Sequence, residues 1–238
     1  MFLIPMMGKS SRFTQAGYKL PKYMLKVGNK TLFEKTVNSF KDYFKSDLFV
    51  FTIPDNDELS KWLKEKIKLL EILNYEIILL KEDTNGQADT VRQTMFNFKE
   101  YDDEINIFNI DTILLNFKKF SSYNFDGYLE VFEGDGDHWS FAKINKDNLV
   151  ESTSEKIRIS PYCSNGFYNF SSKEIFIEGF EKQKQYNNKN NLGEIYIAPV
   201  YNFLIQSGYK IRVKLVSLDD IVFSGTPEEY ELMIKNKA

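Results

Sequence analysis

The chain opens on a segment that sharply limits its fold: Phe2-Leu3-Ile4-Pro5-Met6-Met7 runs apolar, then breaks into Gly8-Lys9-Ser10-Ser11-Arg12-Phe13. After a polar turn, Pro21-Lys22-Tyr23-Met24-Leu25 brings a second fixed cation. An apolar strand that ends in small and basic residues leaves backbone N–H groups exposed at the turn, where they form a concave nest for phosphate oxygens. Arg12 and Lys22 add full positive charges around that nest. Such a turn suits a polyphosphate, that of a nucleoside triphosphate above all. Gly8-Lys9-Ser10 has the ending of a P-loop, but Leu3 occupies the place of that motif's first glycine and excludes it.

Downstream, strand-like and helix-like segments alternate, the pattern of an α/β protein with a mainly parallel sheet. Strands are expected at 2–6, 47–53, 75–80 and 104–110, with helices at 31–44, 57–72 and 87–98 between them. The first helix places Leu32, Val37, Phe40 and Phe44 near one face and leaves Glu34, Lys35, Lys41 and Asp42 outside. After residue 111 come short aromatic strands near 125–132, 139–144 and 165–170, read as an antiparallel extension over the substrate side. A helix fits 171–185, and the polar run Asn187-Asn188-Lys189-Asn190-Asn191 favours a loop. The chain closes with a helix at about 195–207 ended by Gly208, a strand at 209–217, and a helix from Thr226. Thr226-Pro227-Glu228-Glu229 has the makings of a capping box.

With 238 residues, 42% of them hydrophobic, the chain can bury one sizeable core, and a single domain is expected. A net charge of −3 supplies no global basic field, so nucleic acid is not expected as a partner and any anion site must be local. Cys163 is the only cysteine, which excludes an internal disulfide and a cysteine-based zinc site and suits a reducing cytoplasm. The apolar stretch at 2–7 is too short for a signal peptide or a membrane span, so a soluble, unprocessed protein is expected.

The chemistry is further bounded by what the chain lacks. Its one histidine, His138, lies in the acidic loop Glu133-Gly134-Asp135-Gly136-Asp137-His138-Trp139 and reads as a loop residue beside a packing tryptophan. Hydrolysis through a histidine-activated nucleophile is therefore poorly supported. Nucleotidyl transfer needs neither, because the attacking phosphate oxygen is already ionised at neutral pH. It needs positive charge, a divalent metal and in-line positioning. Asp111, after the run Ile105-Asn106-Ile107-Phe108-Asn109-Ile110 at the carboxyl end of an expected parallel strand, is a natural Mg²⁺ ligand. Gly86 permits close approach of a ligand, and Gln87 offers both a donor and an acceptor to a base edge.

The opening resembles the signature of sugar nucleotidyltransferases and their cytidylyltransferase relatives: a strand, A-A-G-x-G-x-R, then P-K-x-L. Gly8, Arg12, Pro21 and Lys22 match; Met6 and Met7 replace the alanines and Ser10 the second glycine. Further matches follow in order. Gly86-Gln87-Ala88 resembles the family's G-Q-A, and Asp111 its aspartate after the fourth parallel strand, with Ile110 for the usual glycine. Glu155-Lys156 resembles E-K-P with Ile157 for the proline, Ser164-Asn165-Gly166-Phe167-Tyr168 resembles n-x-G-x-Y, and Gly225-Thr226-Pro227 resembles G-T-P.

That resemblance implies a Rossmann-like, GT-A-like nucleotidyltransferase fold with a mixed, mainly parallel central sheet and a small antiparallel acceptor-side extension. Residues 1–111 would form the nucleotide-binding half and 112–238 the acceptor-binding half. It implies that Arg12 holds the leaving pyrophosphate while Lys22 stands near the α-phosphorus, with Pro5, Met6, Gly8, Lys9, Ser10, Ser11, Gly86 and Gln87 around the nucleotide. Lys156 would hold the acceptor phosphate, with Glu155, Asn165, Gly166 and Glu194 lining its pocket. The family's second metal-binding aspartate falls at Phe223, so Asp219 or Asp220, reached through a shifted loop, is expected to complete the Mg²⁺ site with Asp111, unless Asp111, phosphates and water suffice.

The implied reaction joins an NTP to a phosphorylated small-molecule acceptor, releases pyrophosphate, and serves capsule or surface polysaccharide synthesis. By that resemblance the short chain points to the compact CTP-using and dTTP-using branches, with CTP slightly favoured. The acceptor stays open between a sugar phosphate and a non-sugar phosphate such as phosphocholine or a phosphorylated amino-acid derivative. Departures at Ser10, Ile110, Ile157 and Phe223 also leave open a nucleotide-sensing or scaffold subunit without turnover, and a homodimer is one assembly left open.

Overall fold

A computed structural model describes residues 1–101, 103–120 and 124–236. Its strands are β1 (Phe2–Pro5), β2 (Lys26–Val27), β3 (Lys30–Thr31), β4 (Phe49–Pro54), β5 (Tyr75–Leu80), β6 (Ile105–Phe108), β7 (Thr112–Leu114), β8 (Gly127–Glu133), β9 (Ser140–Ile144), β10 (Val150–Glu155), β11 (Tyr162–Phe170), β12 (Ile211–Leu215) and β13 (Ile221–Phe223). Its helices are α1 (Ser11–Gln15), α2 (Leu32–Val37), α3 (Asp57–Leu69), α4 (Gln87–Met95), α5 (Lys173–Lys189), α6 (Val200–Gln206) and α7 (Pro227–Lys235).

β1 lies between β4 and β6, parallel to both, with Phe2 opposite Phe49 on one side and Asn106 on the other. Its apolar run is explained by that position. Side chains alternate across a strand, so Phe2 and Ile4 enter one half of the core and Leu3 the other. On the Phe2 face pack α2, the 3₁₀ turn after it, and α3; on the Leu3 face pack α4, α5 and α6. The sheet runs β10-β9-β11-β6-β1-β4-β5, with β8 joined to β11 and β12 to β8. Parallel β6-β1-β4-β5 is the nucleotide-binding type of core, and antiparallel β8, β9, β10 and β11 form the expected extension beside it. Among the described residues no helix is long and apolar enough to cross a membrane.

Several boundaries differ from the sequence expectation, each for a local reason. The helix expected at 31–44 is α2 followed by a 3₁₀ segment, Asn38–Tyr43, with the break at Phe40. The polar run 187–191 is not a loop throughout, because α5 continues to Lys189 and Asn187 is buried, its carbonyl accepting from Leu192 N–H at 2.9 Å. The helix expected from 195 starts only at Val200, and residues 195–199 form an irregular strap.

Glu34, expected on the outer face, is 3% exposed. Its carboxylate accepts from the Thr31 N–H (2.8 Å) and Oγ1 (2.7 Å) in a capping box, and from Lys66 Nζ of α3 at 3.0 Å. Burial pushes this carboxyl up, but the Thr31 and Lys66 bonds outweigh it and hold the group below its ordinary value near 4.5. Glu34→Ala should cost about 1–3 kcal/mol at pH 7, as loss of a cap and of a buried charged bond. Because the folded carboxyl titrates below the unfolded one, the stabilisation is complete above about pH 4.5 and is lost as the pH falls through the folded value. Denaturant titrations of both proteins should therefore converge toward acid.

Candidate active site

Parallel strands deliver their following loops to one edge of the sheet, and the site is built there. Beyond β1 the chain turns at Ser10, whose φ of 51° and ψ of 36° are left-handed, a conformation that a glycine takes at less cost. Ser10 does not line the cavity. Its carbonyl accepts from the N–H groups of Phe13 (3.0 Å) and Thr14 (3.1 Å), which starts α1, and its hydroxyl accepts from the Lys22 N–H at 3.1 Å. That last bond ties the phosphate-type turn to the second cation. Lys22 then extends to Asp111, Nζ to Oδ2 2.6 Å, with their side chains 18% and 29% exposed.

The surroundings of Asp111 are tight. The Ser224 N–H donates to its carbonyl (2.9 Å), and a Cβ added at Gly225 would meet its Oδ2 at 3.3 Å. Ser224 Oγ is buried with no hydrogen-bond partner among the described residues. Two residues before Asp111, Asn109 donates its N–H to Gly166 O (3.2 Å) and accepts from Gln87 Nε2. Gly166, at φ 90°, lets Asn109 in: a Cβ there would sit 2.6 Å from Asn109 Nδ2. Asn109 went unnoticed in the sequence, although its place two positions before Asp111 was the available signal.

A trough runs across Asp111. Its larger part, about 670 Å³, is lined by Pro5, Met6, Gly8, Lys9, Ser11, Lys22, Gly86, Gln87, Glu155 and Glu194 among others. A smaller part, about 200 Å³, is lined by Arg12, Lys156, Asn165, Gly166, Trp139 and Phe223 among others. Asn109, Asp111, Ser140, Glu155 and Tyr168 belong to both. Lys9 pairs with Asp83 at the rim, 2.6 Å, both exposed. Arg12 thus stands on the smaller side of Asp111, while Lys22 and the Gly8 turn stand on the larger.

Glu155 is the most desolvated carboxylate in the trough. Ser140 donates its hydroxyl to it, Tyr168 donates to Ser140 at 3.3 Å, and burial pushes the Glu155 carboxyl up despite Ser140 and Lys156. Asn165 borders the smaller cavity, but its amide is engaged in the protein: Nδ2 donates to Glu130 Oε2 (2.8 Å) and Oδ1 accepts from Phe167 N–H (3.0 Å). Glu130 in turn meets Lys214 at 2.7 Å. Asn165 therefore shapes the β11 wall.

The expected second carboxylate is not brought to Asp111. β13 pairs antiparallel with β7, setting Phe223 opposite Thr112 and Ile221 opposite Leu114. Asp219 and Asp220 precede β13, at the end of this pair away from Asp111, where Asp220 accepts from Asn116 Nδ2 at 2.6 Å. No shifted loop returns them to the site. Phe223 itself packs on Trp139 (4.6 Å between rings) and Phe132 (5.4 Å). Among the described residues no cluster of three histidine, cysteine, aspartate or glutamate side chains could hold a metal.

Comparison with solved structures decides the family. A nucleoside-diphosphate-sugar pyrophosphorylase from Vibrio cholerae RC9 shares 41% identity over 99% of this chain and 100% of its own, with a TM-score of 0.93. The chain belongs to the nucleotidyltransferase family. It is an NTP-using enzyme that releases pyrophosphate. The fold recurs at low identity in the inositol-1-phosphate CTP transferase of T. maritima, 15% identical over 99% of this chain and 95% of that one, TM-score 0.78. It recurs too in the CTP:phosphocholine cytidylyltransferase of Streptococcus pneumoniae, 13% identical over 100% and 98%, TM-score 0.71. No protein-family model matches the chain, and none of the curated proteins does.

In this nucleotidyltransferase the turn before α4 depends on Gly86. Its φ is 96°, and a Cβ there would lie 2.7 Å from both the N and the O of Ile195. Gly86→Ala should cost at least about 2 kcal/mol through backbone strain and overpacking. The same displacement should raise the KM for NTP roughly tenfold, since it moves the start of α4 against the cavity. Thermal denaturation and steady-state kinetics with NTP varied would measure the two effects.

Proposed function

We propose that the enzyme transfers a nucleoside monophosphate from CTP to a small sugar phosphate, giving an NDP-linked product and pyrophosphate. The observation that carries this reading is the Lys22–Asp111 pair at the junction of the two cavities. A larger cavity with a phosphate-type turn on one side, a smaller one with Lys156 on the other, and a cation–carboxylate pair between them is the layout of a two-substrate transfer. The acceptor phosphate, ionised at neutral pH, attacks the α-phosphorus; that bond forms as the bond to pyrophosphate breaks, and no protein nucleophile is required. Lys22 stabilises the charge that develops at the α-phosphoryl group, and the Gly8 turn holds the departing oxygens, while Arg12 faces Asp111 from the smaller cavity instead of the expected pyrophosphate side.

CTP is supported by the CTP enzymes that share its fold. A sugar phosphate is supported by the substrate class in the name of the Vibrio cholerae relative. An activated building block of this kind suits the assembly of surface polysaccharide by a cytoplasmic enzyme, to which the free Cys163 thiol also conforms.

The donor set also fits Mg²⁺. Asp111 is one hard carboxylate, partly exposed and paired through Oδ2 with Lys22, and a cation that keeps several waters needs no more from the protein than one such oxygen. Asp111 would hold it together with phosphate oxygens, and the bound ion would supply positive charge against the developing negative charge.

Pyrophosphate release measured with each of the four NTPs against sugar 1-phosphates, phosphocholine and phosphorylated amino acids, with and without Mg²⁺, tests the whole reading. Turnover with CTP and a sugar phosphate is the expected result; binding without release in every combination would instead identify a nucleotide-sensing subunit. Asp111→Asn should keep the fold and raise the barrier by about 3 kcal/mol or more, a loss of roughly a hundredfold in kcat. Lys22→Ala should lower kcat by a comparable factor with little change in the KM for NTP. Near-normal rates for either variant at saturating Mg²⁺ would remove that residue from the mechanism.

A further inference from the structure

The strap between α5 and α6 lines the larger cavity through Glu194, Tyr196 and Ile197, and it reaches Lys156 of the smaller one. Ile195 is buried, and its backbone is gripped from both ends of the Gly86 turn: its N–H donates to Asn85 O (2.8 Å) and its carbonyl accepts from Ala88 N–H (3.0 Å). One residue on, Tyr196 reaches the other way. Its hydroxyl accepts from Lys156 Nζ at 2.9 Å and donates to Glu194 at 2.5 Å, and the Lys156 ammonium lies 4.7 Å from the centre of its ring.

Lys156 has a neighbouring carboxylate with which it makes an ion pair but no hydrogen bond. Glu155 Oε1 is 4.0 Å from Nζ, beyond hydrogen-bond reach, and Glu155 accepts from Ser140 instead. The backbone of Lys156 is fixed as well, with φ 57° and its N–H donating to Trp139 O at 2.9 Å. The loop therefore sets where this side chain starts, and Tyr196 sets where it ends.

We infer that Tyr196 is the positioning residue for Lys156, holding the ammonium at the acceptor side from a strap anchored on the nucleobase-side turn. The inference rests on the reading above, in which Lys156 meets the acceptor phosphate. A lysine side chain carries about 2 kcal/mol of rotamer freedom, and fixing its direction before the acceptor arrives lowers the entropic cost of binding. The Tyr196 bond also raises the Lys156 ammonium pKa, while burial and Glu194 raise that of the phenol, so both stay protonated at neutral pH.

Tyr196→Phe keeps the ring over the ammonium and removes only the hydroxyl. With the acceptor that turns over in the panel above, the variant should raise the acceptor KM roughly five- to tenfold, the scale of one ordinary net hydrogen bond. The KM for NTP, kcat at saturating acceptor and the melting temperature should stay unchanged, which a loss of general structure would not allow. Lys156→Ala should raise the acceptor KM further, and adding Tyr196→Phe to it should change nothing more. A normal acceptor KM for Tyr196→Phe beside a raised one for Lys156→Ala would overturn the positioning role and leave the reading of Lys156 standing. A normal acceptor KM for Lys156→Ala, or no turnover with any acceptor, would overturn both.

Discussion

Parallel pairing of β1 with β6, in register at Phe2 with Asn106 and Leu3 with Ile107, sends both strands out of the sheet at the same edge. The Gly8 turn and Asp111 follow from that alignment. Lys22, more than eighty residues before Asp111 in the chain, reaches it because the Ser10 hydroxyl holds the Lys22 N–H against the turn after β1. A parallel pair requires a long crossover, and here the crossover supplies α2, α3 and α4 as the covering layers and Gly86-Gln87 at the start of α4. Core and site are thus set by one register. A slip of one residue in β1 would turn Phe2 and Ile4 out of one half of the core and move the turn away from Asp111.

Much of this was legible in the sequence, because the features involved are local. The apolar run of β1, the helix-starting Thr226-Pro227 and the strand before Asp111 are each announced within a few residues. The family signature then ordered the pieces. Features that depend on long-range partners were not legible. Glu34 looked like an outer-face glutamate since its charge partner, Lys66, arrives only when α3 packs on α2. Asn165 looked free to meet a ligand, whereas its amide completes a buried bond to Glu130 across β8 and β11. Asp219 and Asp220 are close to Phe223 in the chain, but an extended pair carries each residue some 3.3 Å farther from Asp111. Tyr196 gave no sign at all, since its two partners come from the loop after β10 and from its own strap.

The trough divides its charge between the two sides proposed for the two substrates. On the larger side the cations Lys9 and Lys22 face the open space proposed for the nucleotide, and Gln87 meets Asn109 where that space joins the smaller one. The smaller side carries Arg12 and Lys156 next to Glu155, which is desolvated and bonded only by neutral or distant donors. A carboxylate held this way accepts hydroxyl hydrogens well, which supports the sugar phosphate proposed above as acceptor.

The positions where the chain departs from its family's pattern are absorbed by packing, and together they narrow the metal chemistry. Ser10 takes the left-handed backbone of the glycine it replaces and uses its hydroxyl to fix Lys22, so the substitution adds a bond. Ile110 is buried beside the sheet, a position where the side chain adds core contact. Phe223 joins Trp139 and Phe132 in an aromatic wall, which closes the edge of the smaller cavity and offers no ligand to a cation. With no second carboxylate beside it, Asp111 alone would balance Lys22 and the proposed Mg²⁺. Such a site favours a cation that retains its own water, and it makes affinity for that cation depend on the phosphates that arrive with the nucleotide.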